Sequence, residues 1–480
     1  MDFFPSCPII RSRLAIEALP RLAPARVVKD QVTRTEDEPL RPLPEATPAL
    51  SQRPQRYCVV GAGPSGLTVA KNLCQAGIGC DVIESADQVG GNWYYGQKAS
   101  SVYRSAHLIS SKRLTEFTDF PMPADYPEYP SHVQAWEYLQ SYARHFRLQE
   151  VIELNRSVEW IEPSGDGWSV RLSGGDVRQY AGVVIANGHH WDPRIPELPG
   201  QFSGIALHSS QYKTPDILRD RRVLVVGAGN SGCDIAVESA QNAATTFHSL
   251  RRGYHYLPKF LFGQPTDQCG EKLLRWRLPL ALRRLFAARA VRIALGRPEA
   301  YGLPPADHKL FETHPIINSQ MLYYVGHGKI RVKPDVQALD GDRIRFADGS
   351  SEPIDVLVYA TGFRITIPFI DPVHLNWQGD RPGLFLHAFH PQYDNLFVAG
   401  LIQPDSGLWG LVDRQAQLIA RFLLATRDAP RKAERFRHLK RSAETDSASP
   451  IRYVGSPRHA VEVEHFSYRR RLEKLIRQFG

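Results

Sequence analysis

The sequence predicts an α/β protein with two Rossmann-like dinucleotide-binding domains, the second inserted into the first. Two G-x-G-x-x-G runs, at 61–66 and 227–232, each follow a short β-prone run and precede a helical pattern. Two later apolar runs, DVLVYATG (355–362) and NLFVAG (395–400), end in glycine. Buried parallel strands end in this way when their C-terminal ends face a ligand.

The first unit begins with a strand at 57–60, and we expect order to start at Arg56. A helical pattern follows through Leu73 and stops near Gly77, and 79–83 forms the next strand. The second unit repeats this order. VLVVG is its first strand, CDIAVESAQ its helix and TTFHSL its second strand.

The composition is that of a soluble globular protein. The 480 residues contain 42% apolar and 23% charged residues, without a membrane-span-length apolar run or a secretory signal. The net charge is +9, of which residues 431–480 carry +7. Such a basic tail either forms a solvated surface or contacts an anionic partner such as nucleic acid or a membrane. The sequence contains no nucleic-acid-binding motif that would favour contact with a partner.

The six cysteines form no C-x-x-C pair, so the sequence predicts inert thiols and neither a redox dithiol nor a metal site. The segment 272–297 predicts an amphipathic basic helix, either packed on the core or exposed to a membrane or partner.

We expect five segments. A flexible extension covers 1–54, the first domain covers 55–212 and 333–430, the inserted domain covers 213–332, and a basic extension covers 431–480.

The first glycine run has the features of a dinucleotide site. Gly61 permits the tight turn, Gly63 the approach of a pyrophosphate, and Gly66 close helix packing. The helix that begins at Pro64 and Ser65 directs N–H groups at phosphate. Glu84, 23 residues after Gly61, can bind a ribose diol.

The second run differs at the position of that carboxylate. Gly227, Gly229 and Gly232 repeat the pattern, with Asn230 and Ser231 at the helix start. Arg251 and Arg252 follow the second strand, where guanidinium groups suit a 2′-phosphate. The site therefore favours NADPH over NADH, unless both arginines are solvated surface charges.

Two such sites indicate a resident flavin that takes hydride from NADPH. Three reaction types fit: disulfide reduction, oxidase chemistry and oxygen insertion. The sequence offers no dithiol for the first.

The third type is supported by a resemblance. The run FSGIALHSSQY (202–212) resembles the F-x-G-x-x-x-H-x-x-x-Y/F fingerprint of the flavin-containing monooxygenases, related to the Baeyer–Villiger and N-hydroxylating monooxygenases. The runs GGNW (90–93), TDFPMPADYP (118–127), GNSGCDIAVE (229–238), DVLVYATGF (355–363) and GLIQ (400–403) resemble further family motifs, in family order over about 56–425.

The resemblance implies an NADPH- and FAD-dependent monooxygenase that passes one oxygen atom of O₂, through a flavin hydroperoxide, to an amine nitrogen or sulfide sulfur. It implies cofactor contacts by the family-motif residues Gly91, Asn92, Trp93, Thr361, Gly362 and Gln403. For Trp93, core packing is the alternative. His208 is expected to position a cofactor or couple the domains, with direct chemistry as the alternative.

The chain departs from the family at one position. Where the family's Y-x-S-x-x-T-N-x-S-K motif has Asn, this chain has Ile109, which cannot hydrogen-bond a peroxide. Asn92, His107 or Ser110 would then supply that contact, or the cofactors do so, or the peroxide is less stable. We therefore take Asn92, Ser110 and His208 as candidate catalytic residues.

Three alternatives remain. The first is Baeyer–Villiger oxygenation of a ketone, which is disfavoured because this chain has Tyr212 where those enzymes usually have Trp. The others are an uncoupled NADPH oxidase that releases hydrogen peroxide and a nucleotide-dependent binding protein. We expect a cytoplasmic homodimer that acts on a small molecule, without nucleic acid, and with peripheral membrane contact limited to the basic segments.

Overall fold

A computed structural model describes residues 51–275, 278–442, 451–455 and 459–479. These residues form a mixed α/β fold, as the sequence predicts. The first strand begins at Ser51 rather than at Arg56. The remainder of the predicted N-terminal extension lies outside the described residues.

The first sheet is built around the strand that precedes the first glycine run. Its first four strands are parallel, and the last two pair antiparallel. In register, Val59 lies between Val82 and Val184, so the centre of the sheet is apolar on both faces. The strand order is Ile152–Glu153, Cys80–Ile83, Ser51–Val60, Val177–Ile185, Gly167–Leu172 and Val158–Ser164, with Leu396–Val398 also paired to Val177–Ile185.

The second sheet is built around the strand that precedes the second glycine run, and all of its strands are parallel. Their order is Ile330–Lys333, Thr245–Ser249, Arg222–Val226, Val356–Tyr359 and Ile205–His208. A third, smaller sheet has the order Ser351–Pro353, Arg343–Phe346, Val336–Gly341 and Gly200–Phe202.

The strand pairing bears on the predicted domain boundaries at 212/213 and 332/333. Strands Ile205–His208 and Val356–Tyr359 lie outside 213–332, yet both hydrogen-bond within the second sheet. Strand Leu396–Val398 returns to the first sheet. The chain therefore crosses between the sheets at 186–204 and again at 360–395, and the insertion with its boundaries at 212/213 and 332/333 stays a prediction.

The helices cover the faces and ends of the sheets. Among the described residues, none is long and apolar enough to cross a bilayer. Their bounds are Pro64–Gln75, Lys112–Thr115, His132–His145, Asn230–Asn242, Thr266–Arg275, Leu280–Leu295, Gln320–Gly326, Trp409–Asp428, Pro430–Ser442 and His465–Phe479. Short strand pairs complete the fold at Tyr256–Leu257 with Ile316–Ile317, Phe260–Leu261 with Gln264–Pro265, Asp192–Pro193 with Phe363–Arg364, Trp377–Gln378 with Arg381–Pro382, and Gln403–Pro404 with Glu462–Val463.

The largest core joins helices Pro64–Gln75, His132–His145 and Trp409–Asp428 to the two C-terminal helices. In His465–Phe479, the side chains of Tyr468, Leu472 and Leu475 recur at helical spacing and are buried in this core. The predicted basic extension 431–480 is therefore, in its described part, more than a solvated surface. The net charge of the segment concealed this apolar stripe.

The segment 272–297 forms parts of two helices rather than one, because Pro279 starts a new helix. Helix Leu280–Leu295 contains no buried residue. Leu285, Phe286 and Ile293 are exposed, whereas Leu295 at the end of the helix is partly buried against a core, so this helix favours the exposed-surface interpretation.

Candidate functional site

The first glycine run forms a cradle at the carboxyl end of the first sheet. Gly61 has φ +101°, and a Cβ there would meet the Ala186 carbonyl oxygen at 2.7 Å. A Cβ on Gly66 would meet the Gly61 oxygen at 1.8 Å, so helix Pro64–Gln75 packs as close as glycine allows. No described side chain caps this helix, whose first N–H groups are therefore available to phosphate.

The GGNW run lies directly on this cradle. A Cβ on Gly91 would meet the Cα of Gly63 at 2.8 Å, and the Gly90 N–H donates to the Ala62 oxygen. Trp93 packs edge-on against Trp409 at the edge of two cores. Gly91 therefore lies on the predicted dinucleotide cradle, whereas the contact shown for Trp93 is the core packing given as its alternative role.

Asn92 makes contacts that the sequence does not reveal. Its side-chain oxygen accepts from the Ser101 N–H at 2.7 Å and from the Ser101 hydroxyl at 2.9 Å. In this arrangement the amide oxygen orders the 91–101 turn, and only the amide nitrogen could reach a ligand.

Glu84 ends its strand with both carboxylate oxygens beside the cradle. One oxygen accepts from the Ala62 N–H at 2.7 Å and the other from the Ala86 N–H at 2.8 Å. The carboxylate is buried and has further lone pairs for hydroxyl donors, as a ribose diol requires.

The GLIQ run reaches the same cradle from the other side. A Cβ on Gly400 would meet Ser65 Oγ at 2.1 Å, which places this turn against the start of the first helix. Gln403 continues from it into a strand paired with Glu462–Val463.

Sequence reasoning missed Gln415, which holds this turn. Its Oε1 accepts from the Gly400 N–H at 3.0 Å, and its Nε2 donates to the Tyr468 hydroxyl at 2.7 Å. The available signal was the polar run DRQAQ (413–417) between apolar residues of the same helix.

The second glycine run repeats the first cradle. Gly227 has φ +106°, and a Cβ there would meet the Ala360 oxygen at 2.6 Å. A Cβ on Gly232 would meet the Gly227 oxygen at 1.9 Å. Thr361 and Gly362, which follow Ala360, therefore lie at the second cradle, as Asn187 does at the first.

The side chains at the start of the second helix have different surroundings. Asn230 donates to the Pro315 oxygen at 3.0 Å and accepts from the Ile317 N–H at 2.8 Å, so its amide anchors the segment 315–317. Gly229 is the N-cap residue, and Ser231 is half-buried beside it. Gly229 and Ser231 lie where phosphate contacts are predicted, whereas the amide of Asn230 is already engaged.

Arg251 and Arg252 follow the strand Thr245–Ser249 at the edge of the second cradle. Arg251 is exposed. Arg252 lies 3.7 Å from the Asp307 carboxylate. Among the described residues, the pair thus presents one exposed guanidinium and one partly neutralised guanidinium to any ligand of this edge.

His208 connects the fingerprint run to the second cradle. Its Nε2 lies 3.0 Å from the Gly362 oxygen, and its Nδ1 faces the Ser210 N–H and hydroxyl. Burial lowers the pKa of its imidazole, opposed by the Gly362 hydrogen bond. A neutral ring that donates from Nε2 and accepts at Nδ1 satisfies all of these contacts. Tyr212, at the end of the fingerprint, donates to Glu238 of the adjacent helix at 2.6 Å.

A cavity lies at the position of the family departure, beside the segment 315–317 and the segment that follows the GLIQ run. It is lined by Ile109, Ser110, Tyr129, Thr266, Asp267, His314, Pro315, Ile317, Pro404, Asp405 and Ser406. Ser110 lines it, and its hydroxyl lies 2.7 Å from that of Thr115. His107 is exposed and bonded to the Ser105 oxygen, and neither it nor Asn92 lines the cavity.

Two carboxyl groups give this cavity its electrostatic character. Burial raises the pKa of Asp267, although its carboxylate accepts from the Ser111 N–H at 2.7 Å. Burial, followed by the charges of Glu464 and Glu462, raises the pKa of Asp405 to about 7. The cavity is therefore suited to a cation or to a group that gives up a proton.

Comparison with known proteins gives a family match over nearly the whole described chain. The sequence model described as "FMO-like: Flavin-binding monooxygenase-like" matches residues 54–478. The chain is similar to flavin-containing monooxygenase 5 of Rattus norvegicus, with 29% identity over 88% of this chain and 83% of the relative. It is also similar to indole-3-pyruvate monooxygenase YUCCA1 of Oryza sativa subsp. japonica, with 32% identity over 68% and 79%.

The fold is also similar to solved structures of monooxygenases. It is similar to S-allyl-L-cysteine S-oxygenase from Allium sativum, with a TM-score of 0.61 and 20% identity over 89% of each chain. This likeness places the two glycine cradles in a known two-domain arrangement.

Proposed function

The chain belongs to the flavin-binding monooxygenase-like family and is an FAD- and NADPH-dependent monooxygenase, and from this premise we propose that it oxygenates an amine nitrogen or a sulfide sulfur. The observation that carries this choice is the carboxylate-lined cavity beside Ile109. A basic amine satisfies these carboxylates, whereas a neutral ketone offers them no donor.

The residues present fit both cofactors. Each cradle has a glycine at positive φ, a carbonyl where a Cβ would stand, and a helix N-terminus for phosphate. When bound, FAD and NADPH supply the electrons that activate O₂. In the proposal Glu84 binds the FAD ribose, Gly91 and Trp93 lie beside the flavin, and Gln403 approaches it from the GLIQ turn.

The second cradle holds the nicotinamide cofactor. Gly227, Gly229, Ser231 and Gly232 contact its pyrophosphate, and Arg251 with Arg252 contacts its 2′-phosphate. Thr361 and Gly362 border the same cradle. His208 positions the 361–362 turn through the Gly362 oxygen and is not itself a proton carrier.

Asp405 has a proposed proton-transfer role. An amine that is protonated in water must lose its proton before its lone pair can attack. Asp405 accepts from the His465 N–H with Oδ1, which leaves Oδ2 to take this proton. Its pKa of about 7 is matched to such a transfer at neutral pH. Ile109 and Ile317 exclude water from the same cavity, and Ser110 offers the nearby hydroxyl.

Steady-state assays with a matched amine, sulfide and ketone test the proposal. NADPH consumption, oxygenated product and hydrogen peroxide are followed together. We expect product from the amine or sulfide in proportion to NADPH. Product from the ketone alone would establish the Baeyer–Villiger alternative, and peroxide equal to NADPH with every compound would establish the oxidase alternative.

Asp405→Asn separates recognition from overall activity. It should raise KM for the amine at least tenfold and leave KM for a neutral sulfide within twofold, with the exposed Asp216→Asn as control. Equal changes for both compounds would show that the cavity does not select by charge.

The proposal extends to a cytoplasmic homodimer. All described cysteines are free thiols, which fits a reducing compartment. The exposed Leu285, Phe286 and Ile293 support a contact surface on helix Leu280–Leu295. Light scattering on wild type and Phe286→Asp tests this, since a wild-type monomer would contradict it.

A further inference from the structure

Two cysteines that no sequence motif pairs lie in contact in the first domain. Cys74 is in the last turn of helix Pro64–Gln75, and Cys80 is the first residue of the next strand. Their Sγ atoms are 3.9 Å apart. Both are free thiols in this structure. The sequence analysis did not single them out, because it considered shorter spacings than C-x₅-C.

The turn between helix and strand produces this contact. The Ile78 N–H donates to the Leu73 oxygen at 2.9 Å, and the Gly77 N–H donates to the Cys74 oxygen at 3.0 Å. These two bonds form a Schellman motif, which reverses the chain sharply after the helix. The reversal returns the backbone to the level of Cys74 as the strand begins at Cys80.

The two thiols have different surroundings. Cys74 is exposed, whereas Cys80 is fully buried. Arg56 lies over the same turn, since a Cβ on Gly79 would meet its Nη1 at 3.1 Å. One thiol is therefore accessible to an oxidant beside a cation, and the other is held behind it.

The pKa values follow these surroundings. The hydrogen bond between the thiols, with help from Arg56, lowers the pKa of Cys74 to about 7, while burial and Glu150 oppose the shift. The same hydrogen bond and burial raise the pKa of Cys80. The pKa of Cys74 is therefore below that of an ordinary thiol, which favours the reactive thiolate form.

We propose that Cys74 and Cys80 are a peroxide-oxidised dithiol, in which Cys74 is the attacking and Cys80 the resolving thiol. The Cys74 thiolate attacks hydrogen peroxide, the O–O bond breaks, and a sulfenic acid forms as hydroxide leaves and is protonated to water. The Cys80 sulfur then attacks the Cys74 sulfur, the S–O bond breaks, and a second water leaves with the thiol proton. One peroxide is reduced to two waters, and two thiols are oxidised to one disulfide.

The position of the pair gives the disulfide a consequence. Helix Pro64–Gln75 starts at the first glycine cradle, and strand Cys80–Ile83 ends at Glu84. The disulfide would tie the far ends of these two elements together, about one helix length from the cradle. It therefore leaves the cofactor contacts intact while blocking over-oxidation of the exposed thiol.

The test is direct oxidation of the purified, reduced, full-length holoenzyme with a small excess of hydrogen peroxide. After catalase quenching, the protein is denatured, alkylated and measured by intact mass and peptide mapping. The chain has six cysteines, so we expect alkylation to fall from six groups to four, with one linked peptide joining Cys74 to Cys80. Dithiothreitol should restore the lost labelling.

Matched variants identify the roles. Cys74→Ser should abolish the linked peptide. Cys80→Ser, which keeps a hydrogen-bond donor beside Cys74, should leave a dimedone-reactive Cys74, and the half-buried Cys269→Ser should change nothing. Oxidation of Cys74 to a sulfinic acid with Cys80 still alkylated in wild type would overturn the proposal. Labelling lost equally from all cysteines would also overturn it. Neither result depends on turnover, so the proposed monooxygenase activity is tested separately.

Discussion

The preference for NADPH should depend on Arg251 and Arg252, and its size follows from their surroundings. A hydrogen bond to a charged group contributes about 1.5–3 kcal/mol when well ordered. Arg251 is exposed and Arg252 is 3.7 Å from Asp307, so we assign about 1.4 kcal/mol to each, or tenfold in binding. Arg251→Ala should then raise KM for NADPH about tenfold, and the double variant between about thirtyfold and a hundredfold.

The control cofactor is NADH, which lacks the 2′-phosphate. Its KM should change less than twofold in the same variants, and Arg219→Ala, an exposed arginine elsewhere, should affect neither cofactor. Binding of NADP⁺ by calorimetry at two salt concentrations measures the same contacts without turnover. Because charges near the surface are screened, the difference between wild type and variant should shrink at high salt.

Asp307 provides an independent check on the geometry. It holds Arg252 with a carboxylate that would repel a 2′-phosphate, so Asp307→Asn should lower KM for NADPH about threefold. Equal effects of the arginine variants on NADPH and NADH, or weaker NADPH binding by Asp307→Asn, would refute the assignment.

Three further changes have defined outcomes. Glu84→Gln should weaken FAD retention about tenfold on dilution, because the amide still accepts from Ala62 but loses its charge for the ribose; unchanged retention would contradict this. Asp405→Asn should raise Tm at pH 8 more than at pH 5, because a carboxyl with a pKa raised to about 7 destabilises the fold progressively as pH rises towards 7; an equal gain at both pH values would contradict this. Lys71→Met should lower the urea unfolding free energy by about 3 kcal/mol, because it leaves Asp413 buried without its cation at 2.9 Å, and adding Asp413→Asn should restore part of it.

Local patterns predicted the residues that form the two glycine cradles. The glycine turns and Glu84 depend on backbone conformation and short-range spacing, which a sequence expresses directly. The structure places these residues around two matching cradles. The GGNW and GLIQ runs lie at the first cradle, where the family resemblance expects them.

The remaining features depend on contacts between distant segments. The amide of Asn230 hydrogen-bonds to the segment 315–317, and the amide of Gln415 hydrogen-bonds to Gly400. No local sequence pattern predicts either contact. The contact of Cys74 with Cys80 depends on a turn geometry rather than on a motif. The sequence analysis did not predict that the C-terminal helices are packed on the core, because it averaged the charge over 431–480. Burial depends on only one face of each helix.

The two crossings between the sheets have a mechanical consequence. A sheet that is connected through two chain segments is more restricted in its motion than a sheet connected through one. Here the first crossing ends in the strand that carries His208, and the second begins beside Gly362. The hydrogen bond from the His208 ring to the Gly362 oxygen joins the two crossing segments at the second sheet. The second sheet should therefore move relative to the first only together with both crossing segments.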